Sequence, residues 1–425
     1  MNNQRLELVA DFYEYTMANG YFNKNMEDKI AYFDVFFRKV PNEGGYAIVA
    51  GLEQIINYIR NLSFDEEDIS YLRKQNKFSE EFLNYLENFR FTGDIWAIPE
   101  GTVVFPNEPL ITVKAPIIQA QLLETMLLLT TNHQSLIATK TSRIVKEAQG
   151  RPVMEFGARR AHGINAAVEG ARAAIIGGAV GTSCTLSAKE FNVPASGTMA
   201  HSWIQSFDSE YEAFKAYAEL YPDDCTFLID TYNTIESGLP NAIKVFNEVL
   251  KPKGYRPKAV RLDSGDLAYL SKKVRKILDE AGYEDCKICA TNSLDEHLIK
   301  SLIEQDAKID LFGVGENLIT AKSEPVFGGV YKLVALEKDK KIVPKIKVSE
   351  NTAKVTNPSV KKVYRFYDNE TKKAIADVIT LADEIIDERE YMIFDPQNPW
   401  KKKVLKDYSI RLLQEKIFEE RKINI

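Results

Sequence analysis

Cysteine is scarce in this chain of 425 residues, at four copies, and the scarcity closes off a class of answer. Cys184, Cys225, Cys286 and Cys289 are too few for a disulfide scaffold and fit a reducing compartment. Cys286-x-x-Cys289 has no second pair to complete a four-ligand set, which weighs against zinc. Long apolar runs are missing as well. Met126–Leu129 and the glycine-interrupted Ala173–Val180 fall well short of the roughly 20 residues that a membrane helix needs. The opening MNNQRLELVADFYEY has neither the basic start nor the apolar core of an export signal, so a cytoplasmic location and no membrane partner are expected. Positive charge is not in excess either. Subtracting 61 acidic from 55 basic side chains leaves −6, which works against a broad nucleic-acid footprint but leaves room for a local basic cleft that holds phosphates.

What is present is the composition of a globular enzyme, 45% apolar and 27% charged, long enough for about two or three domains. Three zones differ in pattern. Residues 1–150 mix aromatic-rich helical stretches, Tyr46–Arg60 and Glu80–Phe91, with an alternating segment from Asp94 to Phe105 that turns at Pro99-Glu100-Gly101; an α+β N-terminal domain is expected. Residues 151–336 alternate short apolar strands (PVMEF, VPASGT, CTFLID, KAVRL, KICAT, IDLFGV, VYKLVAL) with amphipathic helices, the rhythm of parallel strands joined by helical crossovers. After Ser264, for example, Leu267, Leu270, Val274, Ile277 and Leu278 recur at helical spacing, with lysines and an arginine on the opposite face. Ser209-x-x-Glu212 and Ser293-x-x-Glu296 read as capping boxes. Residues 337–425 turn lysine-rich and strand-like, with Asp368-Asn369-Glu370 as a hairpin tip, and read as a small peripheral β-rich element. Periodicity leaves a closed barrel and an open doubly wound sheet equally open for the middle zone.

In parallel α/β folds the chemistry gathers where strands end. Polar residues cluster at six such ends: Phe156-Gly157-Ala158-Arg159-Arg160, Gly197-Thr198-Met199-Ala200-His201-Ser202, Asp230, Arg261-Leu262-Asp263-Ser264-Gly265-Asp266, Thr291-Asn292-Ser293 and Gly313-Val314-Gly315. Asp263 and Ser264 alone would also suit a helix cap, and a lone G-x-G turn more often means tight backbone geometry than a phosphate contact. Together they supply exposed N–H groups, a helix dipole and cations of the kind a phosphorylated sugar needs. His201 stands among small and polar neighbours, where an imidazole serves as proton donor, acceptor or nucleophile toward a phosphoryl group.

The segments DFYEYTMANGYF, FFRKVPNEGGYAIVAGL, EFGARRAHG, GTMAHSW, DTYNT, VRLDSGDL and FGVGENLITA, in this order from Leu8 to Leu333, together resemble the nicotinate phosphoribosyltransferases. The resemblance implies an irregular parallel β/α barrel over 151–336, with the C-terminal element packing on the N-terminal domain. It implies transfer of phosphoribosyl from phosphoribosyl pyrophosphate to nicotinate, coupled to ATP through phosphorylation of His201, with Mg²⁺ held by the pyrophosphate and Asp263 the protein residue nearest to it in role. It also implies a homodimer with a shared site, in which Tyr13 of one subunit and Phe156 of the other stack on the pyridine ring. Arg261 would face the nicotinate carboxylate and Arg159 the ring and sugar diphosphate. Asp230 and Asp263 would hold ribose hydroxyls and the Mg²⁺-bound pyrophosphate, and Asn292, Ser293, Gly313 and Gly315 would cradle the 5′-phosphate. Nicotinamide-using relatives carry an aspartate near the ring's amide, whereas Gly181-Thr182-Ser183-Cys184-Thr185 has no acid, which favours a carboxylate substrate. The competing readings are a nicotinamide or quinolinate phosphoribosyltransferase, a sugar-phosphate isomerase or aldolase, and a non-catalytic binding protein.

Overall fold

The computed structural model describes residues 6–348, 350, 355–387, 389–396, 398–419 and 422–423; Ser349, at the end of the expected strand KIVPKIKVS, lies outside them. The chain divides into two compact units, residues 1–135 with 326–425, and residues 136–325. No helix among the described residues is long and apolar enough to cross a membrane.

The first unit is built on a seven-stranded sheet in which Ile30–Phe37, buried along almost its whole length, lies between Gly329–Lys338 and Ile111–Pro116, antiparallel to both. VYKLVAL therefore belongs to this antiparallel sheet and not to the parallel set. The helix expected from Tyr46 starts only at Leu52, because Ala47–Ile48 pairs with Val103–Val104. Gly51, at φ 106°, makes the turn into it, and Glu100 Oε1 accepts from the N–H groups of Gly51 (2.6 Å) and Leu52 (3.0 Å), satisfying donors the helix leaves open. The hairpin about Asp368-Asn369-Glu370 forms, joining Lys361–Asp368 to Ala374–Leu381.

Glu14, on helix Phe12–Phe22, is fully buried. Its Oε1 accepts from Thr125 Oγ1 (2.5 Å) and Asp11 N–H (3.2 Å), while Oε2 is buried without a partner among the described residues. Burial pushes its carboxyl up to about 7, against the pull of those two hydrogen bonds. Because the folded value is raised, the folded chain holds a proton that the unfolded chain has already lost above the ordinary carboxyl range. This residue's contribution to stability is present at low pH and is lost as pH rises toward about 7. Thermal midpoints measured from roughly pH 5 to pH 8 should fall with rising pH, and Glu14→Gln should flatten that slope. An identical slope in the variant would show that Glu14 titrates normally.

The second unit carries six parallel strands: β1 (Val153–Glu155), β2 (Gly181–Thr182), β3 (Thr226–Leu228), β4 (Ala259–Leu262), β5 (Lys287–Ala290) and β6 (Leu311–Val314). Their order is β2-β1-β6-β5-β4-β3. The first and last strands pair, as in a ring, and the row stays open between β2 and β3, so the sheet does not close by hydrogen bonds. VPASGT contributes only an isolated bridge, Ala195 to Thr182, at that opening. Its place is taken by the two-residue strand Gly181–Thr182, too short to leave a period in the sequence.

Helix Leu267–Glu280 buries Leu267, Ala268, Ser271, Val274 and Leu278, and Asp266 caps it by accepting from Tyr269 N–H at 3.0 Å. That leaves Asp263 and Ser264 outside the cap. The first capping box holds in part, since Ser209 Oγ accepts from Glu212 N–H at 3.2 Å. The second does not. Helix Glu296–Glu304 is capped by Asp295, because Ser293 adopts a left-handed φ of 51° that points its chain away from a cap geometry.

Candidate active site

All six polar strand ends lie in the second unit, at the C-terminal ends of β1 and β3–β6 and in the segment after Ala195. Four of them meet at one charged network. Arg261, at the end of β4, donates from Nη2 to Asp263 Oδ1 (2.8 Å), from Nε to Thr291 Oγ1 (2.9 Å) and from Nη1 to Thr198 Oγ1 (2.8 Å). Thr291 donates to Asp263. Burial works against charge on Asp263, but the hydrogen bond from Thr291, the Arg261 guanidinium and the adjacent His201 outweigh it and hold the carboxyl below its ordinary value.

His201 opens the short helix His201–Gln205. Its Nδ1 lies 3.1 Å from Thr231 Oγ1 and its Nε2 3.7 Å from Asp263 Oδ2, so both ring nitrogens face oxygen. Asp230, at the end of the β3 segment, is buried and braces the turn after β4. Its Oδ2 accepts from Asp263 N–H (2.7 Å) and Ser264 Oγ (2.6 Å). Its Oδ1 is buried and has no hydrogen-bond partner among the described residues.

Phe156 follows β1 and is half-buried; its N–H donates to Val314 O at 2.8 Å. A Cβ on Gly313 would sit 2.6 Å from the Phe156 ring and 2.7 Å from the Thr291 methyl, so glycine is what lets this ring approach the sheet. Asn292 and Ser293 are both left-handed (φ 82° and 51°), and Asn317 holds their loop by donating to Ser293 O (2.9 Å) and Leu294 O (3.2 Å). Glu316, next to the Gly313-Val314-Gly315 turn, is taken up by Lys322 (2.9 Å), which with Arg160 keeps its carboxyl below the ordinary range. Arg159 is exposed on the turn Ala158–Arg160, and Tyr13 is exposed on its helix in the first unit.

The structure thus brings together His201, Asp230, Arg261 and Asp263. It also shows that Arg261 is already engaged: a two-pronged grip on a ligand carboxylate would require Nη1 to give up its 3.4 Å contact with Met199 O. Thr198, Thr231 and Thr291 complete the network without carrying a role in the sequence reading, although Thr198 and Thr291 stand inside polar strand-end motifs and Thr231 follows Asp230 in DTYNT. Hydroxyls there carry no distinctive pattern. Cys225, Cys286 and Cys289 are buried, their thiols pushed up to about 12 by burial, so they are inert toward this site.

A parallel α/β unit whose strand ends gather an imidazole, two aspartates, an arginine and glycine turns defines an α/β enzyme that handles anionic substrates. Family models for the nicotinate phosphoribosyltransferase N-terminal domain, family and C-terminal domain match residues 8–132, 152–379 and 360–424. The chain belongs to the nicotinate phosphoribosyltransferase family. It is 47% identical over 416 residues to the Bacillus subtilis nicotinate phosphoribosyltransferase, covering 98% of this chain and 84% of that one. The Caenorhabditis elegans nicotinate phosphoribosyltransferase is 36% identical, with 89% and 76% covered. The crystal structure of human nicotinic acid phosphoribosyltransferase superposes with a TM-score of 0.86 at 26% identity, covering 97% of this chain and 90% of that one.

Proposed function

We infer that this chain transfers the phosphoribosyl group of phosphoribosyl pyrophosphate to the ring nitrogen of nicotinate, giving nicotinate mononucleotide and pyrophosphate, with ATP coupled through His201. In the transfer, the bond from the anomeric carbon to the pyrophosphate oxygen breaks and a bond to the pyridine nitrogen forms. The observation that carries the reading is the contact of His201 with Asp263 and, through it, Arg261. An imidazole so placed attacks the γ-phosphorus of ATP, ADP leaves, and the loaded histidine favours binding of the sugar pyrophosphate. The partnerless Oδ1 of Asp230 is read as the acceptor for a ribose hydroxyl or the cation on the pyrophosphate. Mg²⁺, when bound, would neutralise charge developing on the leaving pyrophosphate.

Phe156 is read as one face of a stack on the pyridine ring, with Tyr13 of a second copy as the other, and Arg159 as a contact of ring and sugar diphosphate. Asn292, Ser293, Gly313 and Gly315 would receive the 5′-phosphate. The ring-like order of β1–β6 supports reading the sheet as an irregular barrel opened between β2 and β3. The test is a panel of nicotinate, nicotinamide and quinolinate with phosphoribosyl pyrophosphate and Mg²⁺, with and without ATP. Nicotinate should be consumed fastest and ATP should accelerate it. Faster use of nicotinamide would overturn the substrate assignment.

Asn317 gives this reading a separate check. Replacing it with alanine removes two hydrogen bonds that hold a loop with two left-handed non-glycine residues. The KM for phosphoribosyl pyrophosphate should rise about tenfold while that for nicotinate stays put. An unchanged value would remove the 292–293 loop from the phosphate site.

A further inference from the structure

Beneath the Phe156 turn lies a carboxylate that the reaction leaves unused. Glu155 ends β1 and is fully buried, and among the described residues no cation pairs with it. Burying a carboxylate is costly unless its oxygens are hydrogen-bonded, and both are. Oε1 accepts from Gly157 N–H, and Oε2 accepts from the Thr182 hydroxyl at 2.6 Å. The Thr182 hydroxyl accepts in turn from Cys184 N–H (2.9 Å), and the Glu155 carbonyl accepts from Ser183 N–H (2.9 Å).

These bonds tie the turn bearing Phe156 to the segment Thr182–Cys184. The approach is close on both sides of that turn. A Cβ on Gly157 would lie 2.8 Å from Glu155 Oε1 and 2.5 Å from Ile319, while the Phe156 ring fills the space over Gly313. An apolar pair of the same shape at 155 and 182 would hold two strands together about as well. What the polar pair adds is direction: two oxygens with fixed partners set where the turn stands relative to the β2 segment.

We propose that Glu155, acting through Thr182 and Gly157, is the positioning residue of the pyridine pocket. It sets the spacing between the Phe156 ring and the Thr182–Cys184 wall, and so the affinity for a flat pyridine acid, without touching it. This rests on Phe156 being the stacking residue, and the control below separates the two.

Thr182→Val exchanges the hydroxyl for a methyl of similar size and removes the donor to Glu155. The KM for nicotinate should rise about tenfold, with kcat and the KM for phosphoribosyl pyrophosphate within about twofold of the parent. Glu155→Gln should act in the same direction, and the double variant should be no worse than the poorer single one, since both cut the same link. Thr182→Ser, which keeps the hydroxyl, should restore the parent KM; this holds the test open if Glu155→Gln folds poorly. An unchanged nicotinate KM in Thr182→Val, or parallel rises for both substrates with only a lowered thermal midpoint, would overturn the proposal. Phe156→Ala is the control. If it raises the nicotinate KM while the Thr182 and Glu155 variants do not, the positioning role fails alone; if it too leaves that KM unchanged, the stacking assignment fails and takes the proposal with it.

Discussion

Arg261→Ala should lower kcat/KM for nicotinate by about 10²- to 10³-fold, the cost of breaking a partly buried charge pair. Arg261 is only 14% exposed in its side chain and makes three short hydrogen bonds, to Asp263, Thr291 and Thr198. Removing it strips Asp263 of its cation, and the carboxyl then rises toward its ordinary value, since burial is opposed only by the hydrogen bond from Thr291 and by His201. It also releases the segment that leads into His201 through Thr198. Arg261→Lys should recover little, because an ammonium cannot serve three oxygens in the plane of a guanidinium fork. Steady-state kinetics on both variants check this. A lysine variant near parental activity would mean that charge alone matters, and the network geometry described above would lose its role.

For His201→Ala the expected result is loss of the effect of ATP. In the parent, ATP should lower the KM for phosphoribosyl pyrophosphate and leave an acid-labile phosphoprotein; in the variant, the ratio of KM values with and without ATP should go to about one and no label from γ-labelled ATP should remain on the chain. Thr231→Val probes the same point more gently, since Thr231 Oγ1 is the 3.1 Å neighbour of Nδ1. A His201→Ala enzyme still stimulated by ATP would move the phosphoryl acceptor elsewhere.

The strand-end clusters were legible because apolar runs of four to six residues stop at abrupt polar groups, and that contrast survives in one dimension. The capping of helix Leu267–Glu280 was legible only in outline: the amphipathic face could be read, but Asp263, Ser264 and Asp266 are three equivalent candidates until backbone geometry picks Asp266. Strand β2 leaves no signal in the sequence, as two residues have no periodicity. VYKLVAL has the composition of any buried strand, parallel or antiparallel, and its antiparallel partner, Ile30–Phe37, lies about 300 residues earlier in the chain.

Residue chemistry and its order along the chain therefore belong to the sequence: a rare histidine in a small-residue segment, aspartates and an arginine at strand ends, glycines where a ring or a phosphate must come close. Those are local properties, set by side-chain type and by the two backbone periods. Which of these groups touch was decided only by the tertiary structure. Arg261 reaches Thr198 across 63 positions, His201 reaches Thr231 across 30, and Asp230 braces Asp263 across 33. Strand pairing and register bring them together, and pairing is a property of two distant segments at once, which neither segment carries alone.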